Sequence, residues 1–372
     1  SVSVIFNELF VVGKAMGINM KSKRNGKIEL LRFFFCMSVL LFHIGKDAFG
    51  SNVFINDYLT VFARGRSGVE FFFLVSGFLA AKSASKIRLN GDTVGRNSFN
   101  FILKKINAIL PYHIFAVMVT VVLFFIYGNH FVMDIVKRLP SAFFLQRTGM
   151  CDRDFITVEW YICSMLLALA IIFPLLLKNF DLTTLVIAPV ASSLMIGYLK
   201  KTYGAMPVSD EFATFTYSCN IRAVAVILLG CFCFAISEKI REAELSKLKE
   251  ILLIIIENGC WLVSMYFMFS GFHTSYDSYV IYFMALGITL TFSRDFDCKI
   301  YNNKFVYFLG AFSLPLYLCQ NIARSIVKYE LDSLTGYTRI AVTVSLAVII
   351  SLIAYILWNV IKKLRLKRAV SK

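Results

Sequence analysis

The sequence predicts an all-α, polytopic membrane protein: a bundle of about ten transmembrane helices with both termini in the cytoplasm. Three observations lead there. Apolar residues make up 58% of the 372-residue chain and charged residues only 17%, whereas soluble domains run at about 45–50% and about 25%. Mean hydropathy is +0.70, and 37 Phe against 6 Pro suit long apolar helices better than loops. Apolar stretches long enough to cross a hydrocarbon core, about 17–25 residues, recur along the chain. Disorder, a collagen-like fibre and a secreted disulfide scaffold are thereby excluded.

Spans are expected near residues 28–45, 67–84, 107–127, 157–177, 182–199, 219–237, 251–270, 276–293, 305–327 and 340–361. The first two are the shortest and contain charges. Residues 131–147 read as an interfacial helix, because Asp134, Lys137 and Arg138 interrupt the apolar positions. The piece EKIREAELSKLKE (238–250) reads as a solvated helix of mixed charge. The chain thus divides into a basic cytoplasmic tail (1–25), a membrane domain (26–362) and a second basic tail (363–372). Residues 1–19 read as an upstream extension or an interfacial stretch, with Met20 opening the more typical tail MKSKRNGK. The run SVSVIFNELFVV lacks the basic leader and small-residue cleavage site of a signal peptide.

Basic residues set the orientation. With ten spans, one side collects 25 Lys and Arg, the other 11, and Arg32, Arg222 and Arg324 fall within spans. The richer side holds both termini and is expected to be the cytoplasmic face of the cell (plasma or inner) membrane. The net charge of +16 then reports loops beside anionic lipid, not nucleic-acid binding. The nine cysteines are scattered without a C-x-x-C pair, and Cys231-x-Cys233 has no His or Cys at zinc spacing, so no metal site is expected.

Ionisable groups inside spans are costly and mark function. Arg32 and His43 lie 11 residues apart in the first span. That is about three helical turns, which puts them on one face, offset by about 16 Å along the axis. Arg32 falls toward the cytoplasm and His43 toward the outside; a snorkelling Arg and an interfacial His are the alternative. Glu70 opens the second span, SGVEFFFLVSGFLAAKS, and is expected at the depth of His43, where a carboxylate would orient the imidazole. Its alternative is headgroup water or a pair with Arg64 or Arg66. Gly68, Ser76 and Gly77 read as close-packing positions.

Weaker signals surround these. Tyr317 and Asn321, four apart in the ninth span, share a face that lines a cavity or bonds a neighbouring helix. His113 reads as cavity-facing, and Arg222 and Arg324 as acid-paired or snorkelling. The outer loop QRTGMCDRD (146–154) contacts a polysaccharide or is simply solvated, and His130 and His273 fall in outer loops without a signal.

The spacing of Arg32 and His43, followed by GRSGVEFFFLVSGFL (65–79), resembles the acyltransferase 3 family of membrane O-acyltransferases. LGAFSLPLYLCQ (309–320), through Ser313, Tyr317 and Leu318, and FILKKINAILPYHIF (101–115) resemble two further family elements. The similarity covers roughly residues 26–362. It implies transfer of an acyl group, usually acetyl, from cytoplasmic acyl-CoA to a hydroxyl of a sugar, polysaccharide or glycolipid, with no bound cofactor. On that reading Arg32, Lys104 and Lys105 neutralise the donor phosphates, His43 is the general base, and Glu70 orients it. Arg64, Arg66, Tyr317 and Asn321 then contact the acceptor. The expected partners are the lipid bilayer, acyl-CoA, the acceptor and polysaccharide synthesis machinery. The chain departs from the family at Lys105 and Ala108, where two arginines are common, at Gln320, where a late His is common, and at Met165, where many members place a Glu (Glu159 lies nearby).

Two other readings compete. A sugar or lipid-linked sugar transporter would use Arg32, Glu70 and His43 as a proton relay, but should show repeated halves with paired Gly/Pro breaks, and none are evident. A non-catalytic scaffold would draw on the departures at Ala108 and Gln320.

Overall fold

The computed structural model describes residues 24–49, 64–87, 93–128, 132–151, 153–206, 211–269, 276–294 and 300–370. Most of the first tail, His130 and His273 lie outside the described residues. In hydrocarbon every backbone N–H and C=O must find its partner within the segment, so apolar runs of this length fold as helices. They are α1 (Gly26–Phe49), α2 (Gly68–Ala84), α3 (Val94–Tyr127), α4 (Val132–Arg138), α5 (Trp160–Lys178), α6 (Ala188–Tyr203), α7 (Ser218–Glu242), α8 (Lys247–Phe269), α9 (Asp277–Phe292), α10 (Lys304–Glu330) and α11 (Gly336–Val370). A two-stranded hairpin, β1 (Phe212–Ala213) against β2 (Thr216–Tyr217), precedes α7. Among the described residues nine helical segments are long and apolar enough to span a membrane, and α9 adds a shorter apolar helix of 16 residues. Each of the ten expected spans therefore has its helix.

Several boundaries move, for local reasons. The third helix begins at Val94, not near 107. Its N-cap Thr93 accepts from the Arg96 backbone N–H at 3.2 Å, and the helix continues through Pro111. The basic segment FILKKINAILP is thus helix rather than a loop leading to one. The expected interfacial helix at 131–147 is only α4, which ends at Arg138 because Pro140 follows; a 3-10 turn (Leu139–Phe143) and a left-handed Phe144 (φ 59°) then turn the chain. EKIREAELSKLKE is not one helix: α7 ends at Glu242, Ala243 is extended, and α8 starts at Lys247. The chain after 362 continues α11 to Val370.

The centre of the bundle is α2, packed against α1, α5, α7 and α9, with Phe71, Phe73 and Phe78 fully buried. Small residues bring α2 and α7 together. A β-carbon on Gly77 would overlap the Ile227 carbonyl, and one on Gly230 the Leu74 carbonyl. Around this pair α10 packs on α1, α3 and α11, α8 on α9, and α6 on α7. The outer helices present apolar side chains such as Phe125, Leu194, Leu262 and Ile349, the surface that lipid tails cover.

Cross-helix contacts define two ends. At the first, where α1 begins, Asn25 Nδ2 donates to the Thr291 carbonyl (3.2 Å) at the close of α9. At the second, Arg324 of α10 grips Asp47 at the close of α1.

Candidate active site

The face of α1 that holds Arg32 and His43 turns into the bundle. Between the two residues Cys36, Val39 and Leu40 are all buried, and Cys36 Sγ donates to the Ser313 carbonyl of α10 at 3.1 Å. The stripe therefore avoids lipid: Cys36 faces α10, and Val39 packs where Gly68 opens α2.

At the first-end side Arg32 is half-buried and sits 3.5 Å from Glu29, one turn back. It lies within electrostatic reach of Lys105 on α3 and Tyr161 on α5. Lys105 is half-buried, with its ammonium 5.5 Å from the Phe101 ring, whereas Lys104 is exposed. The structure thus brings Arg32 and Lys105 together and leaves Lys104 on the outside of α3.

His43 is half-buried at the second end, beside Arg324 and Asp47. Asp47 is one turn beyond His43 on α1, and Arg324 holds it in a bidentate clamp, Nε to Oδ2 at 2.5 Å and Nη2 to Oδ1 at 2.9 Å. The clamp extends to Asn321, whose Oδ1 accepts from Arg324 Nη1 (3.1 Å) and whose Nδ2 donates to Thr157 Oγ1 (2.8 Å). One turn lower Tyr317 Oη donates to the Val158 carbonyl (2.5 Å). Tyr317 and Asn321 do share a face, and both use it to tie α10 to the turn before α5.

Glu70 is not beside His43, which corrects the expected pairing. Arg222 of α7 binds it instead, Nε to Oε1 at 2.5 Å with Nη2 on the same oxygen, and among the described residues the other carboxylate oxygen has no partner. The reason is depth. The turn that enters α2 packs halfway along α1: a β-carbon at Gly65 would overlap the Ser38 carbonyl, Gly68 abuts Phe35 and Val39, and Phe71 stacks on Phe35 at 4.6 Å. Glu70 therefore lies near the level of Phe35, eight residues and about 12 Å short of His43. Arg222 also approaches the Trp160 ring (5.7 Å). Arg66 pairs with Asp277 at the start of α9 (3.1 Å), and the buried Arg64 lies near the same carboxylate, so these two cations belong to the Glu70 side of the bundle.

A second buried pair escaped sequence reasoning. His113 Nδ1 meets Glu159 Oε1 at 2.6 Å, with side chains 2% and 0% exposed. His113 Nε2 faces the Ala142 carbonyl (2.9 Å) and so carries a hydrogen, while Gln146 Nε2 donates to Glu159 Oε2 (3.2 Å). One further proton must then lie between Nδ1 and Oε1, and the pair is neutral as a unit. It fixes the loop around Ala142 and the turn carrying Thr157 and Val158, the same turn that Tyr317 and Asn321 hold. His113 thus faces a carboxylate rather than a cavity.

The remaining expectations resolve simply. Ser76 Oγ donates to Met165 Sδ (3.2 Å) and neighbours the Tyr161 hydroxyl, and neither of these partners is a base that would activate a hydroxyl nucleophile. Gln320 is fully buried and donates to the Tyr317 carbonyl (2.8 Å). The loop at 146–154 is tied down by Arg147 to Asp154 (3.2 Å), Arg153 to Asp134 (2.9 Å) and Asn220 Nδ2 to the Arg147 carbonyl (2.7 Å).

One signal was available for what was missed. Asp47 stands four residues after His43, the i,i+4 spacing that places a carboxylate over an imidazole. The His113–Glu159 contact joins residues 46 apart and has no periodic trace.

No curated protein and no solved structure matches the chain. The family described as the acyltransferase domain, acyltransferase 3, matches residues 25–359, which takes in every ionisable pair above. With ten apolar helices and a buried His/Arg stripe on the first, the chain belongs to the acyltransferase 3 family of membrane acyltransferases.

Proposed function

We propose that this acyltransferase moves an acetyl group from cytoplasmic acetyl-CoA to a hydroxyl of a cell-surface sugar, polysaccharide or glycolipid, with His43 as general base. The observation that carries the reading is the polarity of α1, with cations at one end of a buried stripe and an imidazole at the other. Arg32 and Lys105 offer two positive charges to the donor's phosphates. His43 meets the acceptor at the second end, which the excess of basic residues on the opposite side assigns to the exterior. The protein would work in the plasma or inner membrane, alongside polysaccharide synthesis machinery.

In the reaction an imidazole nitrogen of His43 takes the acceptor O–H proton, and that oxygen attacks the thioester carbonyl. The C–S bond breaks, and the leaving thiolate takes the proton back from the imidazolium. Direct transfer fits Ser76, whose hydroxyl is committed to Met165. Asp47, one turn beyond His43 on α1, takes the place expected of Glu70 as the neighbouring carboxylate, and Arg324 holds it. Of the side chains expected at the acceptor, Asn321 stands at the second end, where an acceptor's hydroxyls would be read, whereas Arg64 and Arg66 lie deeper, beside Asp277. Because Cys36, Val39 and Leu40 are buried along the stripe, the donor's pantetheine arm must part the packing around α1 to present the thioester. A proton relay through Arg32, Glu70 and His43 would need Glu70 in line with His43, and Arg222 occupies it instead.

Purified protein in lipid nanodiscs, given acetyl-CoA labelled in the acetyl group, tests the reading. Free CoA should appear, with label in the acceptor, only when a hydroxyl-bearing glycan is supplied. Acceptor translocation without CoA release would overturn it.

A further inference from the structure

A cleft of about 70 Å³ opens at the first end between α1, α8 and the close of α9, apart from the residues placed above. Its fixed point is Glu257. Oε1 accepts from Lys27 Nζ (2.7 Å) and lies 2.6 Å from Thr291 Oγ1, while Oε2 accepts from Arg294 Nη2 (2.6 Å). Thr291 accepts in turn from Trp261 Nε1 (3.2 Å), and Trp261 packs against Phe35 and Phe71. The core thus sets one carboxylate so that it holds two cations side by side, and the group carries a net positive charge.

Among the described residues one donor is left over: Arg294 Nε is buried without an acceptor, while Nη2 of the same guanidinium serves Glu257. Further cations converge from other helices. Arg241 of α7 donates to the Phe292 carbonyl (2.6 Å), and the Lys82 ammonium of α2 lies 5.9 Å from the Phe292 ring, two residues from Arg294. Among the described residues the acids paired with these cations are Glu257 and Glu238, the latter with Arg241 at 2.8 Å; Asp295 and Asp297, which follow Arg294 in the sequence, lie outside the described residues. Lys27 precedes Arg32 by five residues, about 140° around α1, so the cleft looks out on a different face from the Arg32–Lys105 pair.

We propose that this cleft is an oxyanion site for a phosphate ester, bound by Nε of Arg294 and by Lys27, with Glu257 spacing the two cations. Two molecules offer that chemistry at this end: the nucleotide end of the acyl donor and the headgroup of an anionic phospholipid. For the first source the inference rests on the donor reading above; for the second it does not.

The test follows Arg294 in the wild-type protein, so that folding of a variant is not at issue. Nanodiscs are treated with phenylglyoxal, and modification of Arg294 is followed by mass spectrometry, with the exposed Arg153 as the internal control. Four conditions are compared: phosphatidylcholine alone, with CoA, with pantetheine, and with phosphatidylglycerol added to the bilayer. CoA, phosphatidylglycerol or both should slow modification of Arg294 about fivefold or more relative to Arg153, pantetheine should not, and Lys27→Gln should weaken the protection. Protection by CoA alone assigns the site to the donor, and protection by phosphatidylglycerol alone assigns it to lipid. Equal rates in all four conditions, or equal protection by pantetheine, would overturn the proposal. Acyl transfer is not read in this assay: transfer without protection sinks the cleft alone, and protection without transfer sinks the donor reading alone.

Discussion

Two ion pairs, one on Glu70 and one beside His43, are built in opposite ways. At the α2–α7 seam Glu70 and Arg222 are 2% and 6% exposed and lie level with the packed rings of Phe35 and Phe71. At the far end of α1, Asp47 and Arg324 are 32% and 22% exposed, with His43 half-buried beside them. The first pair is closed to any substrate and locks two helices that already touch through Gly77 and Gly230. The second lies at a partly exposed end of the bundle. Motif membership marks both regions as important; burial and depth decide which of them can meet a substrate.

The largest expected effect breaks the closed pair. Glu70→Ala leaves Arg222 charged in the core and should cost about 3–5 kcal/mol of stability, read as a lowered Tm in detergent. Joint replacement by Glu70→Leu and Arg222→Met should restore most of that loss. A Glu70→Ala protein of unchanged Tm that loses only kcat would return Glu70 to the chemistry. At the open pair the signature reverses. Asp47→Asn should lower kcat about tenfold, a modest electrostatic contribution, with Tm and KM for acetyl-CoA held. A collapse of Tm there would make the second pair a lock like the first. The smallest effect is expected at the other end of the stripe. Arg32→Gln should raise KM for acetyl-CoA severalfold to about tenfold with kcat nearly unchanged, the mark of lost uniform binding.

The contrast also explains what the sequence could show. Hydropathy and length place all ten helices because the bilayer leaves the backbone no other choice. Their ends shift wherever a polar segment stays helical, as the Lys104–Lys105 stretch of α3 does, or where Pro140 halts an interfacial run. The Arg32–His43 relation was legible because both residues ride one helix, whose period fixes their bearing. The partner of Glu70 was not, since it depends on where α2 begins relative to α1, and that depth is set by Gly65 and Gly68 seating against Ser38 and Phe35. Charge opposite charge across 152 residues leaves no local mark. The His113–Glu159 pair was hidden for the same reason, whereas Asp47, one turn from His43, was within reach of helical spacing.

The central claim is that proton transfer at the second end of α1 belongs to His43. The most direct measurement is acceptor-dependent CoA release by His43→Gln in nanodiscs, taken together with its Tm and its affinity for acetyl-CoA. Release should fall by about 10²-fold or more, the usual contribution of a general base, while Tm and donor affinity stay at wild-type values. Release at the wild-type rate from a folded, donor-binding His43→Gln protein would contradict the account.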